Sequence, residues 1–329
     1  MPLLLSLFFG FVPVFFLAWV VYWLDRYEKE PKLLLGGVFL WGAVVAAGAA
    51  YVINSVLGLG VFLLTNSEIT TDLTTGSIVA PLVEESLKGL AVLLVFLVFH
   101  SEFDSLLDGV IYAGIVALGF AATENAYYIY TLGFKEAGYT GLFGMVFVRV
   151  IMVGWQHPFY TAFIGIGLAV ARLNRSWLVK AVAPLAGWSA AVFTHAFHNT
   201  LGSLLAGGLG MCFASLLDWS GWLVMLAFIL WATWREQRWI IQHLREEVAL
   251  GVISLPQYRT ACSGWAQSVA RFTALLDGQY RNTLRFYQLC ASLAHKKQHL
   301  ATLGDEGGNR AAIERLRAEL KRLSPYAHA

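Results

Sequence analysis

Between residues 3 and 23 the chain has no charged side chain, and it has none between 34 and 62. A backbone in lipid must satisfy its own N–H and C=O groups, which leaves helices or closed barrels. Runs of about 20 apolar residues match a helix that crosses a bilayer. Further windows of this kind lie near 79–99, 106–130, 155–172, 178–202 and 208–233. The expected fold class is all-α: a polytopic membrane protein of about seven transmembrane helices, with the lipid bilayer as its main solvent. Composition agrees, with 58% apolar residues, 13% charged residues and a mean hydropathy of +0.62, outside the usual range of soluble domains.

Charge divides the chain unevenly. From Arg235 onward lie 14 of the 23 Lys and Arg and 8 of the 21 Asp and Glu. This predicts a membrane domain over 1–234 and a cytosolic helical domain over 235–329. In the second part Ile241, Leu244 and Val248 form one apolar stripe, and Ile313, Leu316, Leu320 and Leu323 form another after a cap at Asn309, spacings that place each set on one helix face. His295 and His299 are four apart, but Lys296 and Lys297 between them point to a solvated face. A net charge of +2 without a recognition motif argues against nucleic acid as a partner. Cys212, Cys262 and Cys290 are scattered, which excludes a disulfide framework and a thiolate zinc site. The first apolar run lacks a basic start and a small-residue cleavage site, so it is expected to be a span and not a signal peptide.

Lys and Arg in the connecting loops set the orientation, because cytoplasmic loops collect them. Arg26, Lys29 and Lys32 follow the first window, and Arg172, Arg175 and Lys180 lie between the fifth and sixth. The segment 65–78 has neither residue type, and 131–154 has only Lys135 and Arg149. The expectation is a multi-pass plasma-membrane protein with its N-terminus outside and its C-terminus in the cytoplasm.

Ionisable groups inside spans cost about 2.5–3.5 kcal/mol each at the centre of an inserted helix, and four windows carry them. The third opens with Glu84, Glu85 and Lys88, the fourth holds Glu124, the fifth His157, and the sixth His195, His198 and Asn199. A helix advances about 1.5 Å per residue. With this topology, counting puts all these groups into one layer in the outer third of the membrane. Glu84 and Lys88 are four apart, as are His195 and Asn199, so each pair shares a helix face. Carboxylates beside imidazoles can activate water and stabilise an oxyanion, directly or through a metal. Gly109, Gly114, Gly119, Gly165 and Gly167 let the helices approach closely.

Glu84-Glu85-x-x-Lys88, Phe120-x-x-x-Glu124 followed by Asn125, His157 alone, and His195-x-x-x-Asn199 together resemble the PrsW family of intramembrane proteases. The turn Asp25-Arg26-Tyr27-Glu28-Lys29-Glu30-Pro31 and the stretch Asp108-Gly109-x-x-Tyr112 are similar to that family too, and the likeness covers roughly 20–205. It implies cleavage of membrane-anchored, single-span proteins such as anti-sigma factors near their outer face. Its motif positions here are Glu84, Glu85, Glu124, His157 and His195. The last motif often ends in Asp where this chain has Asn199. The family also resembles the CAAX prenyl endopeptidases, for which a glutamate base without metal has been argued. In the expected mechanism, Glu84 or Glu85 is the general base and Asn199 donates to the oxyanion. His157, His195 and Glu124 either ligate a metal such as zinc or position the water. Lys88, Asp108 and His198 are supporting residues.

Blander readings compete. Glu84 and Glu85 make a snorkelling or salt-bridged pair in one, His157 an interfacial histidine beside Trp155, and His195 an interhelical hydrogen bond. A proton- or metal-coupled transporter would show repeated halves and a midplane site. A non-catalytic scaffold would tolerate loss of any single Glu or His.

Overall fold

The computed structural model describes residues 1–25, 27, 29–204, 208–305 and 308–329. Arg26 and Glu28, part of the expected basic turn, and residues 205–207 lie outside the described residues. All regular structure described is helical.

The helices up to Ala249 are α1 (Pro2–Leu24), α2 (Lys32–Leu40), α3 (Ala47–Thr65), α4 (Glu68–Thr74), α5 (Ala80–Val98), α6 (Leu106–Tyr128), α7 (Lys135–Val146), α8 (Gln156–Arg172), α9 (Trp177–Leu204) and α10 (Gly208–Ala249). Single π-helical turns join α2 to α3 (Trp41–Ala46) and α4 to α5 (Thr75–Val79). Such turns insert a residue into the helical ladder and re-aim the next helix. Polar helices α11 (Leu255–Ala261), α12 (Gly264–Leu276), α13 (Tyr280–Leu303) and α14 (Asn309–Leu323) complete the chain.

Among the described residues, five helical stretches are long and apolar enough to cross a membrane: Pro2–Leu24, Lys32–Thr65, Leu106–Arg172, Trp177–Leu204 and Cys212–Ala249. The chain is therefore an all-α, multi-span membrane protein, and the number differs from the seven windows for two physical reasons. Helix α5 carries Glu84, Glu85 and Lys88 within its 19 residues, which removes it on charge. The windows at 106–130 and 155–172 are joined by helical structure, so they fall in one stretch. That junction corrects the expectation of a loop over 131–154. Residues 129–152 are helical, and the chain reverses at Ala137 (φ −136°) and Gly138 (φ 61°). Gly138 supplies the positive φ that such a reversal needs. Across the hairpin Gly141 lies so close to Gly133 that a Cβ on it would sit 2.3 Å from the Gly133 carbonyl oxygen.

Two compact units result, Met1–Trp23 with Glu30–Ala227, and Leu24–Lys29 with Phe228–Ala329. The first is built around α6, whose residues are buried from Leu106 to Ala122 without a break. Small residues make this possible. A Cβ on Gly109 would lie 2.3 Å from the Gly165 carbonyl oxygen of α8, and one on Gly119 would lie 2.1 Å from the Phe39 carbonyl oxygen of α2. Ser105 and Asp108 start α6 with a reciprocal cap: the Ser105 hydroxyl accepts from Asp108 N, and Asp108 accepts from Ser105 N at 2.6 Å. Tyr112, one helical turn further on, donates its hydroxyl to buried Glu30. Outer helices turn large apolar side chains outward, among them Phe8, Phe16 and Trp19 of α1, as lipid contact demands.

The second unit has its own core, with Ile240 and Leu244 of α10, Phe286, Tyr287 and Leu293 of α13, and Ile313, Leu320 and Leu323 of α14 buried. Leu244 and Val248 of the predicted α10 stripe pack in this core, while Ile241 is exposed and Ile240 is buried in its place. Gly308, with a left-handed φ of 79°, stands at the start of α14 where Asn309 was expected to cap. His295 and His299 are buried. The solvated face inferred from their lysine neighbours is therefore wrong: Lys297 reaches back to α10, donating to Glu246, Glu247 and the His243 carbonyl. Helix α10 has 42 residues, about 63 Å at the usual rise. A bilayer core of about 30 Å cannot contain it, so its C-terminal part and the helices after it form a non-membrane helical region.

Candidate active site

The first three turns of α5 present Glu84, Glu85 and Lys88, all buried. On a helix, positions three and four apart are neighbours. Lys88 Nζ accordingly lies 2.5 Å from Glu85 Oε1 and 3.9 Å from Glu84 Oε2. Its ammonium also sits 4.3 Å from the centre of the Phe120 ring of α6, a cation–π contact. Glu85 is fixed at both oxygens: Oε1 takes Lys88, and Oε2 accepts from Thr161 Oγ1 of α8 at 2.8 Å.

Two imidazoles face this carboxylate pair. His195 of α9 has Nδ1 2.9 Å from Glu85 Oε1. Because an ionised carboxylate only accepts, the proton is on Nδ1, and a neutral ring then carries its lone pair on Nε2. That Nε2 lies 3.9 Å from Glu84 Oε2. His157, on the first turn of α8, has Nε2 2.8 Å from Glu124 Oε2 and Nδ1 3.3 Å from Lys88 Nζ. The same reasoning puts its proton on Nε2 and its lone pair on Nδ1. The two rings are 5.4 Å apart, nearly perpendicular. Each histidine is thus oriented by a glutamate behind it, the arrangement by which proteins aim an imidazole at a metal or a reacting group.

Glu84 differs from its neighbours. Its Oε1 accepts from Asn54 Nδ2 of α3 at 3.4 Å, but its buried Oε2 has no hydrogen bond. A buried carboxylate oxygen without one is costly. Glu84, His157 and His195 each offer a ligand atom within 4.8 Å of the others. The orphan oxygen and this donor set fit a metal: two imidazoles with one carboxylate is a ligand set that binds zinc and leaves a further position open.

The structure therefore brings together Glu84, Glu85, Lys88, Glu124, His157 and His195 from four helices. It does not bring all the predicted residues there. Asn199 donates to the Gly76 carbonyl at 2.8 Å, which ties α9 to the turn before α5. Asp108 caps the opposite end of α6 from Glu124. His198 pairs with Asp218 of α10 at 3.0 Å. Asp218 also accepts from the Tyr160 hydroxyl at 2.9 Å, and the Tyr160 ring stacks on His195 with centroids 5.0 Å apart.

Several contributors were missed from sequence. Arg149, counted as a loop charge, pairs with Glu124 and donates to Asn125 Oδ1 at 3.0 Å. Asp218 did carry a signal, as an acid within an apolar window. Thr161, Tyr160 and Asn54 carried none, being ordinary helix residues until packing places them.

Comparison with known proteins agrees with this site. Residues 30–233 match the profile of the PrsW family intramembrane metalloproteases. A protein named Protease PrsW from Clostridioides difficile is 38% identical over 108 residues, 32% of this chain and 43% of that protein. Another of that name from Geobacillus kaustophilus is 29% identical over 128 residues, 39% of this chain and 53% of the relative. One from Bacillus subtilis is 29% identical over 170 residues, 50% of this chain and 68% of the relative. The alignment thus spans about half the length of the first two curated relatives or less. No solved structure matches. With its family profile covering well over half of the sequence and the Glu and His motifs of α5, α6, α8 and α9 gathered in one buried cluster, the chain belongs to the PrsW family.

Proposed function

We propose that this protein is an intramembrane peptidase that hydrolyses peptide bonds of membrane-anchored, single-span proteins near their extracytoplasmic ends. The observation that carries the proposal is the buried Glu84 Oε2, unbonded and facing two oriented imidazoles. Family membership supports the same reading.

In this reading Glu84 accepts the proton of the attacking water. Glu85, itself fixed by Lys88 and Thr161, holds His195 with Nε2 toward that water. Glu124 fixes His157 through Nε2, with the ring's Nδ1 beside Lys88 Nζ, and Arg149 balances the charge of Glu124. Were a metal held by Glu84, His157 and His195, Glu84 would serve it as a ligand in place of its role as base, and Glu124 stands behind His157, outside the ligand set first expected. Zinc suits these donors, and it would supply Lewis acidity, which polarises a carbonyl and makes a bound water more acidic. Asn199, bonded to Gly76, acts by fixing α9 against the turn that starts α5.

The topology that goes with this function has seven spans, α5 being a span whose charges face the protein interior, and divides the chain into a membrane domain over 1–234 and a cytosolic domain over 235–329. Loop charges support an external N-terminus and a cytoplasmic C-terminus, in the plasma membrane.

The test is cleavage of a single-span membrane protein by purified wild type, Glu84→Gln, His157→Ala and His195→Ala proteins, with metal analysis of each. Loss of base or imidazole is expected to lower kcat/KM by about 10²–10⁴ with normal membrane insertion. Wild-type rates in all three variants would replace the protease by the scaffold.

A further inference from the structure

Helix α12 is built the wrong way round for a helix that meets only protein and water. Trp265, Val269, Phe272 and Leu276 recur at helical spacing, which puts them in one stripe along the helix, and Leu275 stands beside it. These five side chains are 49–77% exposed. The opposite face, with Gln267, Ala270 and Ala274, is the buried one. Large apolar groups thus point out and small ones point in. With 13 residues the helix is about 20 Å long, too short to cross a bilayer core of about 30 Å.

Two fixed points set the level of this face. The apolar part of α10 ends at Trp231 and Trp234, both exposed, and the guanidinium groups of Arg235 and Arg238 sit 4.9 Å from their ring centres. Tryptophan at the end of an apolar run, followed by arginine, marks the lipid–water interface. Gln237, only about 4.5 Å further along the axis than Trp234, donates from Nε2 to the Cys262 carbonyl at 2.8 Å. Cys262 directly precedes Ser263, the cap of α12, so α12 starts at that interface. The second point is Tyr27, three residues after α1 ends at Leu24. It is buried in the same core as Ala270, midway along α12. Charge agrees with an anionic surface: between residues 248 and 304 Asp277 is the only acid, against six Lys and Arg. Arg259 and Arg281, which flank α12 in the chain, are exposed.

We propose that α12 is an in-plane membrane anchor, its stripe seated in the lipid of the leaflet from which α10 emerges, with Arg259 and Arg281 at anionic headgroups. Helices of this type sink their apolar face about 5–10 Å into the boundary between headgroups and acyl chains. Lipid is the occupant because the stripe begins where the aromatic belt of α10 ends, and a soluble partner has to displace it. The polar helical region therefore does not cross the bilayer, yet it is held against it at a second place besides α10.

The experiment uses the full-length protein in nanodiscs of phosphatidylcholine and phosphatidylglycerol in equal amounts. A fluorescent coumarin amino acid replaces Phe272, or replaces Arg315 of α14, an exposed position outside the stripe. Lipid with a nitroxide near its headgroup quenches from within the membrane, and iodide quenches from water. Expected at position 272 is loss of most emission to the nitroxide lipid and little to iodide, with the reverse at 315. Trp265→Asp combined with Val269→Asp, at two exposed sites that leave the core untouched, is expected to make 272 behave like 315 with an unchanged circular dichroism spectrum. Equal iodide quenching at 272 and 315 in the otherwise unaltered chain overturns the inference. Shielding of 272 from both quenchers also overturns it, giving the face to a second copy or another protein surface. Lipid quenching that survives both aspartates does the same, since the stripe is then not what holds the helix. Peptidase activity enters none of these readings.

Discussion

Lys88 is a fully buried cation whose neighbours are two carboxylates, an imidazole nitrogen and an aromatic face. Removing one partner of a buried pair leaves the other charge uncompensated, at a cost of about 3–5 kcal/mol. Lys88→Met is therefore expected to lower the thermal unfolding midpoint in detergent sharply, and the double variant Lys88→Met with Glu85→Gln is expected to recover part of the loss. Equal midpoints for the single and double variants would show that the pair is uncoupled. Tyr160 is a milder case. Its ring stacks on His195 while its hydroxyl serves Asp218. Tyr160→Phe keeps the stacking and is expected to retain most kcat, whereas Tyr160→Leu, which frees the imidazole, is expected to lose about tenfold or more. Cleavage rates of the two proteins decide this. In the polar region, burial pushes the Cys290 thiol well above its ordinary pKa. Thiolate is the reactive form, so Cys290 should resist maleimide at neutral pH in folded protein and label once denatured.

At the level of elements, α6 and α8 meet backbone to backbone. A Cβ on Gly165 would lie 1.9 Å from the Gly109 carbonyl oxygen, where no side chain can move aside. Alanine there forces the helices apart, and overpacking of this kind costs about 1–3 kcal/mol or more. It also moves His157 and Thr161, carried by α8, away from Glu85 and Lys88. Gly165→Ala is expected to lose both stability and cleavage. Gly36→Ala, where nothing lies within 4 Å, should change neither. Thermal unfolding and cleavage of the two variants, measured side by side, check the pair.

The whole molecule joins a membrane unit to a polar helical one, and different forces hold each. In the polar unit Glu247 is a buried anchor. Burial disfavours its charged form, but hydrogen bonds from Arg317 and Lys297 together outweigh that and hold its pKa below the usual carboxylate range. A carboxylate depressed on folding contributes stability above its unfolded pKa, and the contribution is lost as pH falls through the folded value. Loss of the unit's structure on acidification below about pH 4.5 should therefore be steeper in wild type than in Glu247→Gln, which is also expected to be less stable at neutral pH. Circular dichroism against pH measures both. For topology, a reporter fused after Arg235 should behave as cytoplasmic and one inserted between Thr70 and Thr75 as external. The opposite pattern would put the site on the other face.

Apolar length, loop charge and the ionisable residues within spans were legible in the sequence because each reports a local cost that lipid imposes. A run such as 3–23 has few alternatives to a membrane helix, and Glu84, Glu124, His157 and His195 stand out wherever their helices end up. Partnership was not legible, because it depends on which helix faces touch. Glycine contacts at Gly109 with Gly165 and at Gly119 with Phe39 set those faces, and they turned similar-looking acids to different ends. Glu85 and Glu124 back histidines, Glu84 keeps an oxygen without a hydrogen bond, and Asp108 caps a helix. Arg149 reaches the site because the chain folds back at Gly138, a reversal hidden within helix-forming residues. Local composition thus determined the membrane class and the chemical inventory, and tertiary packing decided which atoms meet, since a hydrogen bond depends on ångströms that sequence spacing fixes only within one helix.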